Sequence, residues 1–138
     1  MMNVLVPTDF SVASLALIDQ AAKVLNGKMN IYLFHAFELP RGKEEMQKRQ
    51  TTQIKLITEA LRQRCRRIKA NNKNISNISV KIMQGNDQIA FSNFTEIYKI
   101  DLLVLPPNYM FIAPTPESVN PVKLFKKSGI EKLTNLTP

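Results

Sequence analysis

Residues 3–11 read Asn3-Val4-Leu5-Val6-Pro7-Thr8-Asp9-Phe10-Ser11, and the fold turns on this stretch. Asn3 to Pro7 is a short, largely β-branched apolar run with no polar face, the signature of a strand covered on both sides. It stops at Thr8-Asp9-Phe10-Ser11, where Ser11 stands as an N-cap for a helix. Ser14, Leu17, Ile18, Ala21, Val24 and Leu25 then share one helical face, and Asn26-Gly27 supplies a left-handed stop. A buried strand that feeds an amphipathic helix is the first half of a βαβ unit.

The alternation repeats along the chain. Ile31 to Phe37 is a second apolar strand, ended by Leu39-Pro40. Ile54, Ile57, Leu61, Cys65 and Ile68 recur at three- and four-residue steps, which predicts one amphipathic helix of about seven turns. Asn71 to Asn77 reads as a loop, and Ile78 to Met83 as strand three with Lys81 outward. Gly85-Asn86-Asp87 opens a helix whose apolar stripe is Ala90, Phe94, Ile97 and Tyr98; a single glycine there is a turn and cap, not a phosphate loop. Leu102 to Leu105 is strand four, halted by Pro106-Pro107, and Asn108 to Asn120 has no periodicity. A last helix is expected from about Pro121, carrying Val122, Phe125, Ile130, Leu133 and Leu136. The order demands an α/β doubly wound parallel sheet of four strands sandwiched by helices, with right-handed crossovers and a ligand crevice at the carboxyl ends of the strands. Residues 1–138 read as a single domain.

Composition narrows the function classes. Hydrophobic residues make up 44% of the 138 and charged residues 22%, which suits a globular chain rather than a disordered one. No apolar run approaches the roughly 20 residues of a membrane helix. Met1-Met2-Asn3 carries no basic region and no cleavage site, so a signal peptide is not expected. One cysteine allows no internal disulfide, and the cytoplasm is the expected compartment. The lone His35 cannot assemble a metal cluster or a histidine relay, and it reads as a satisfied buried or half-buried side chain rather than a catalytic one. No metal site and no catalytic residue is expected. Cys65 falls on the inward stripe of its helix and reads as a packed thiol. The net charge of +8 lies entirely between Arg41 and Lys73, where eleven Lys or Arg meet three Glu. That basic segment keeps nucleic-acid binding as an alternative, against which stands the lack of any aromatic residue between those positions for stacking.

Val4-Leu5-Val6-Pro7-Thr8-Asp9-Phe10-Ser11 resembles the opening strand and turn of universal stress proteins. Ile31-Tyr32-Leu33-Phe34-His35-Ala36 resembles their second strand, Asp101-Leu102-Leu103-Val104 their fourth, and Ser128 to Pro138, through Glu131-Lys132, their last helix. The resemblance implies the adenine nucleotide alpha hydrolase-like arrangement. It implies further that Asp9, with Pro7 and Thr8 beside it, lies at the adenine end of a nucleotide and that the backbone at Ala36 contacts the base. In nucleotide-binding members a glycine loop after strand four, closed by Ser or Thr, holds the phosphates of ATP or AMP.

The chain departs from that pattern twice. Pro106, Pro107, Asn108, Tyr109, Met110 and Phe111 stand where the glycines begin; proline has no amide hydrogen, and side chains crowd out the close approach that glycine permits. Aligning on Glu131-Lys132 keeps only Ser128 of the loop's end, with Lys126 or Lys127 as substitute charge. The family's fifth strand, expected after the last helix, has no room before Pro138; a truncated chain, a tandem protein of which this is the first half, and a strand supplied by a partner all stay open. The expectation is a regulatory or binding module that works by homodimerisation, tandem pairing or contact with an unidentified protein, with weak or no nucleotide binding and no enzymatic activity. A stress protein that binds ATP or AMP and hydrolyses it slowly is the alternative.

Overall fold

In a computed structural model, residues 1–136 are described. Met2–Pro7 (β1) leads through a 3-10 turn at Ala13–Leu15 into Ala16–Val24 (α1). Met29–Phe37 (β2), Gly42–Leu56 (α2), Glu59–Asn71 (α3), Ile75–Gln84 (β3), Gln88–Ile97 (α4) and Leu102–Val104 (β4) follow. Ser118–Val119 (β5), Val122–Lys127 (α5) and Lys132–Leu133 (β6) complete the order. The sheet runs β3-β2-β1-β4-β6, all parallel, while β5 pairs antiparallel with β2. The doubly wound α/β fold read from the sequence is the fold observed.

Strand alternation sends neighbouring residues to opposite faces. Val4, Val6, Ile31 and Leu33 pack with Leu15, Ile18, Ala21, Leu61 and Ile68 on the face covered by α1 and α3. Leu5, Phe34 and Leu103 pack with Phe91, Phe94, Leu124 and Phe125 under α4 and α5. The second face is aromatic: Phe34 has its ring centroid 5.4 Å from Phe91, 5.1 Å from Phe94 and 5.7 Å from Phe125. Asn3 ties β1 to β4, donating its amide to Asp101 Oδ2 at 2.8 Å and accepting from the Asp101 amide at 2.8 Å.

Three expectations need correction. The helix of seven turns is two helices, because Ile57 and Thr58 leave helical backbone and Thr58 caps α3 by accepting from the Leu61 amide at 3.1 Å. A polar cap inside an apolar periodicity breaks the rod where periodicity alone continues it. The final helix stops at Lys127, since Ser128 is extended and its Oγ accepts from the Ile130 amide in a local turn. The fifth parallel strand is therefore not missing: β6 takes its place beside β4, with the Leu103 amide donating to Glu131 O and the Leu105 amide to Leu133 O, each at 2.9 Å. The open side of β4 requires partners for its buried amides, and a short strand supplies them more directly than a continued helix would. β3 also begins earlier than the polar stretch before it suggests, at Ile75.

Replacing the α3 cap, Thr58→Ala, is expected to lower unfolding free energy by about 1 kcal/mol, read as a reduced midpoint in urea at unchanged slope.

Candidate functional site

The strand order reverses at β1, which lies between β2 and β4, and the crevice belongs at their carboxyl ends. A cavity of about 480 Å³ opens there. Asp9, Ser11, Ser14 and Leu17 line one wall, Pro106 to Met110 the other, and Ile112 and Leu136 close it. Asp9 is both a turn residue and a cavity residue: its Oδ1 accepts from the Ser11 amide at 3.0 Å and from Ser11 Oγ at 2.5 Å. Ser11 Oγ in turn accepts from the Ser14 amide at 3.2 Å, so the hydroxyl organises the turn that leads into α1. Pro7 and Thr8 are buried behind this turn. Thr8 Oγ1 accepts from the Phe10 amide at 3.0 Å and shares a hydrogen bond with Ser14 Oγ at 3.0 Å. Phe10 carries a φ of 66°, a left-handed backbone that costs a bulky residue on the order of 1–3 kcal/mol.

The wall after β4 is a closed turn. The Tyr109 amide donates to Pro106 O at 3.3 Å, with Pro107 at the second position and Asn108 at a φ of 59° in the third, the pattern of a type II turn. Pro106 and Pro107 have no amide hydrogen and that of Tyr109 is engaged. Asn108 alone of the four retains a free main-chain donor in this turn. Tyr109 Oη is buried without a partner among the described residues, and burial, helped by the Asp9 charge, pushes the phenol up from its ordinary value.

Ala36 lies one lane over. β2 outruns β1: the Thr8 amide donates to Phe34 O at 2.9 Å, and β1 contributes nothing beyond it. The Ala36 and Glu38 main-chain groups face the same way as those of Phe34, into the lane that β1 has left. β5 fills that lane, with Val119 opposite Ala36 and Ser118 opposite Phe37, and the Glu38 amide donates to Glu117 O at 2.9 Å. The edge that the family resemblance gives to the base is thus taken by residues 117–119 of the chain itself. Ser128 lies at the carboxyl end of α5 and does not line the cavity. Pro7, Thr8 and Asp9 adjoin at the end of β1, where Asp9 alone of them lines the cavity; Ala36 lies in the next lane, paired with Val119, and Ser128 is outside the cavity.

His35 pins β5 in place and is the feature sequence reading left without a partner. It is 1% exposed. Its Nδ1 lies 2.8 Å from Thr8 O and must carry the hydrogen, because a carbonyl only accepts. Nε2 then accepts from Ser118 Oγ at 2.9 Å, and Ser118 Oγ lies 3.0 Å from Thr115 Oγ1. Phe10, Phe37 and Phe111 surround the imidazole at centroid distances of 4.5, 4.9 and 5.6 Å. Burial lowers the His35 pKa, opposed by the Thr8 carbonyl and by Asp9. Ser118 is 83 residues from His35 in sequence, and nothing in its immediate neighbours marks it as a partner. Arg49 was equally hidden within the charged segment: it is 5% exposed, donates to Glu38 O and pairs with Glu45 at 2.9 Å. Among the described residues no group of three His, Cys, Asp or Glu is placed to hold a metal, and no helix is long and apolar enough to cross a membrane.

A histidine whose folded pKa is depressed binds fewer protons when folded than when unfolded, so stability falls as pH drops below about 6.5. Urea midpoints taken between about pH 7.5 and about pH 5.5 should decline in the parent protein. They should decline less in His35→Gln, which has nothing to protonate there.

The family model for the universal stress protein family matches residues 1–107, so the match runs from β1 to the Pro106-Pro107 turn. Solved structures share the fold. The universal stress protein UspA from Lactobacillus plantarum superposes with a TM-score of 0.59 at 18% identity, covering 96% of each chain. A universal stress protein in complex with cAMP gives 0.57 at 21% identity, covering 99% of this chain and 98% of that one. A universal stress protein family member from Burkholderia pseudomallei gives 0.56 at 12% identity, covering 98% and 96%. No curated protein matches the chain significantly. With the family match spanning more than three-quarters of its length and the fold agreeing throughout, the chain belongs to the universal stress protein family.

Proposed function

We propose that this chain is a regulatory or binding module of the universal stress protein type, acting through self-association or contact with a protein partner, and holding no adenine nucleotide with useful affinity. The observation that carries this reading is the β5 pairing, which sets Val119 against the Ala36 main chain. A base seeking that edge has to displace the strand together with the His35–Ser118 hydrogen bond. The Pro106–Tyr109 turn adds a second obstacle, since a phosphate deprived of main-chain donors gives up water without replacement. A cytoplasmic setting and a single domain over residues 1–138 are part of this reading, as is a homodimer through the sheet edge beyond β6, which the family resemblance implies.

The competing reading is uptake of ATP or AMP with slow hydrolysis. The cavity beside Asp9, with Ser11 and Ser14 on its wall, favours it. Against it, the titratable groups at this end of the sheet are already engaged: one Asp9 carboxylate oxygen is held by Ser11, and His35 is enclosed by its partners.

Calorimetric titration with ATP and with AMP separates the two. The expected result is no binding tighter than about 1 mM for either nucleotide. Micromolar affinity for one of them overturns the proposal.

A further inference from the structure

The sheet ends on one side at β3, ten residues long and unpaired on its outer edge among the described residues. The Gly85 amide donates to Phe37 O at 2.7 Å, which fixes the alternation: Asn77, Ser79, Lys81 and Met83 turn their main-chain groups toward β2, and Ile78, Val80 and Ile82 turn theirs outward. The side chains of those three residues point to the α3 face, where they pack only partly against the core. A groove of about 380 Å³ runs between this edge and α3. Ile57, Leu61, Cys65, Ile78 and Val80 make its apolar floor, and Arg62, Arg66 and Lys69 stand on its rim. β3 carries a register shift at Ser76, near its start, but along Ile78 to Ile82 the edge is little protected: β3 has no proline, and its one lysine, Lys81, lies over the Tyr98 ring at 5.2 Å on the other face.

We propose that the β3 edge and the basic groove under α3 form a docking site for an extended acidic segment of a partner protein, which adds to the sheet as a further strand. Main-chain groups of Ile78, Val80 and Ile82 supply the pairing, as in strand addition generally. Alternate residues of the incoming segment fall on the α3 side; apolar residues among that set enter the groove, and acidic residues of the same set, two or four positions along, meet Arg62, Arg66 and Lys69. Glu59 engages Arg66 at 2.8 Å and approaches Arg62 at 4.0 Å. Among the described residues Lys69 has no acidic partner, and all three cations are exposed. Charge also argues against a second copy of this chain at the edge. Two-fold pairing of β3 with itself sets the α3 helices side by side, cation against cation, and like charges so placed oppose association. The site is separate from the cavity beside Asp9 and does not rest on the nucleotide reading.

The test uses an extended peptide whose odd positions alternate valine and glutamate and whose even positions are threonine, with a control carrying lysine in place of glutamate, followed by fluorescence anisotropy and amide hydrogen exchange. The expected result is binding of the acidic peptide alone, weakened about tenfold or more by Arg62→Glu with Arg66→Glu and by added salt. Exchange at Ile78, Val80 and Ile82 should slow on binding, while Ser79 and Lys81, already paired to β2, change little. Val80→Pro removes one outward donor and should weaken binding; the exposed arginine pair keeps the test decisive if that variant fails to fold. Equal binding of both peptides, no slowing at the three outward amides, dimerisation through β3, or single-stranded RNA binding at these arginines without acidic-peptide binding each overturns the proposal.

Discussion

β2 is longer than β1 at its carboxyl end, and the main-chain groups of Ala36 and Glu38 are left facing a lane with no strand in it. Buried amides and carbonyls of this kind are almost always satisfied in native proteins. Much of the molecule's upper end follows from how that need is met. Residues 117–119 enter the lane, His35 grips them through Ser118, and the long connection after β4 is drawn back across the sheet rather than left to open outward. Phe111 and Phe37 then close over the imidazole, and Phe10 adopts its unfavourable backbone to complete the enclosure.

The same end of the sheet is where parallel α/β proteins place ligands, so satisfying the backbone internally and offering it to a ligand are alternatives for one set of atoms. Asp9 shows the compromise in a single residue. One carboxylate oxygen is committed to Ser11, yet the residue still borders a cavity. Retention of the turn does not require retention of its ligand, because the Asp9–Ser11 pair stabilises the start of α1 whether or not anything fills the space beside it.

What the sequence disclosed depended on how local the determining interactions are. The existence and order of β1 to β4, α1 and α4 follow from apolar periodicity within a few residues and are observed, with β3 starting three residues earlier than read; the position of the switch at β1 comes from the strand order alone. The break at Thr58 was legible in principle, since a threonine cap interrupts the charged segment, but the apolar spacing on either side runs in phase and masks it. The end of the chain misled for a different reason: Phe125, Ile130 and Leu133 keep helical spacing, whereas the demand for hydrogen bonds along β4 comes from residues about thirty positions away. β5 is two residues long and made by a serine and a valine among prolines, with no pattern to announce it. His35 reads from the sequence as satisfied and at least half-buried, while its partners Thr8 and Ser118 do not show there.

The crossover between β2 and β3 has a consequence on a longer length scale than any of its contacts. All the surplus positive charge of the chain rides on α2, α3 and their flanks, at one corner of the sandwich, while the remainder is electrically neutral. Such a molecule has a permanent dipole, and an approaching polyanion exerts a torque on it before any surfaces touch. Collisions with acidic macromolecules are therefore pre-aligned toward the α3 corner, and this rotational bias fades over the Debye length as ionic strength rises.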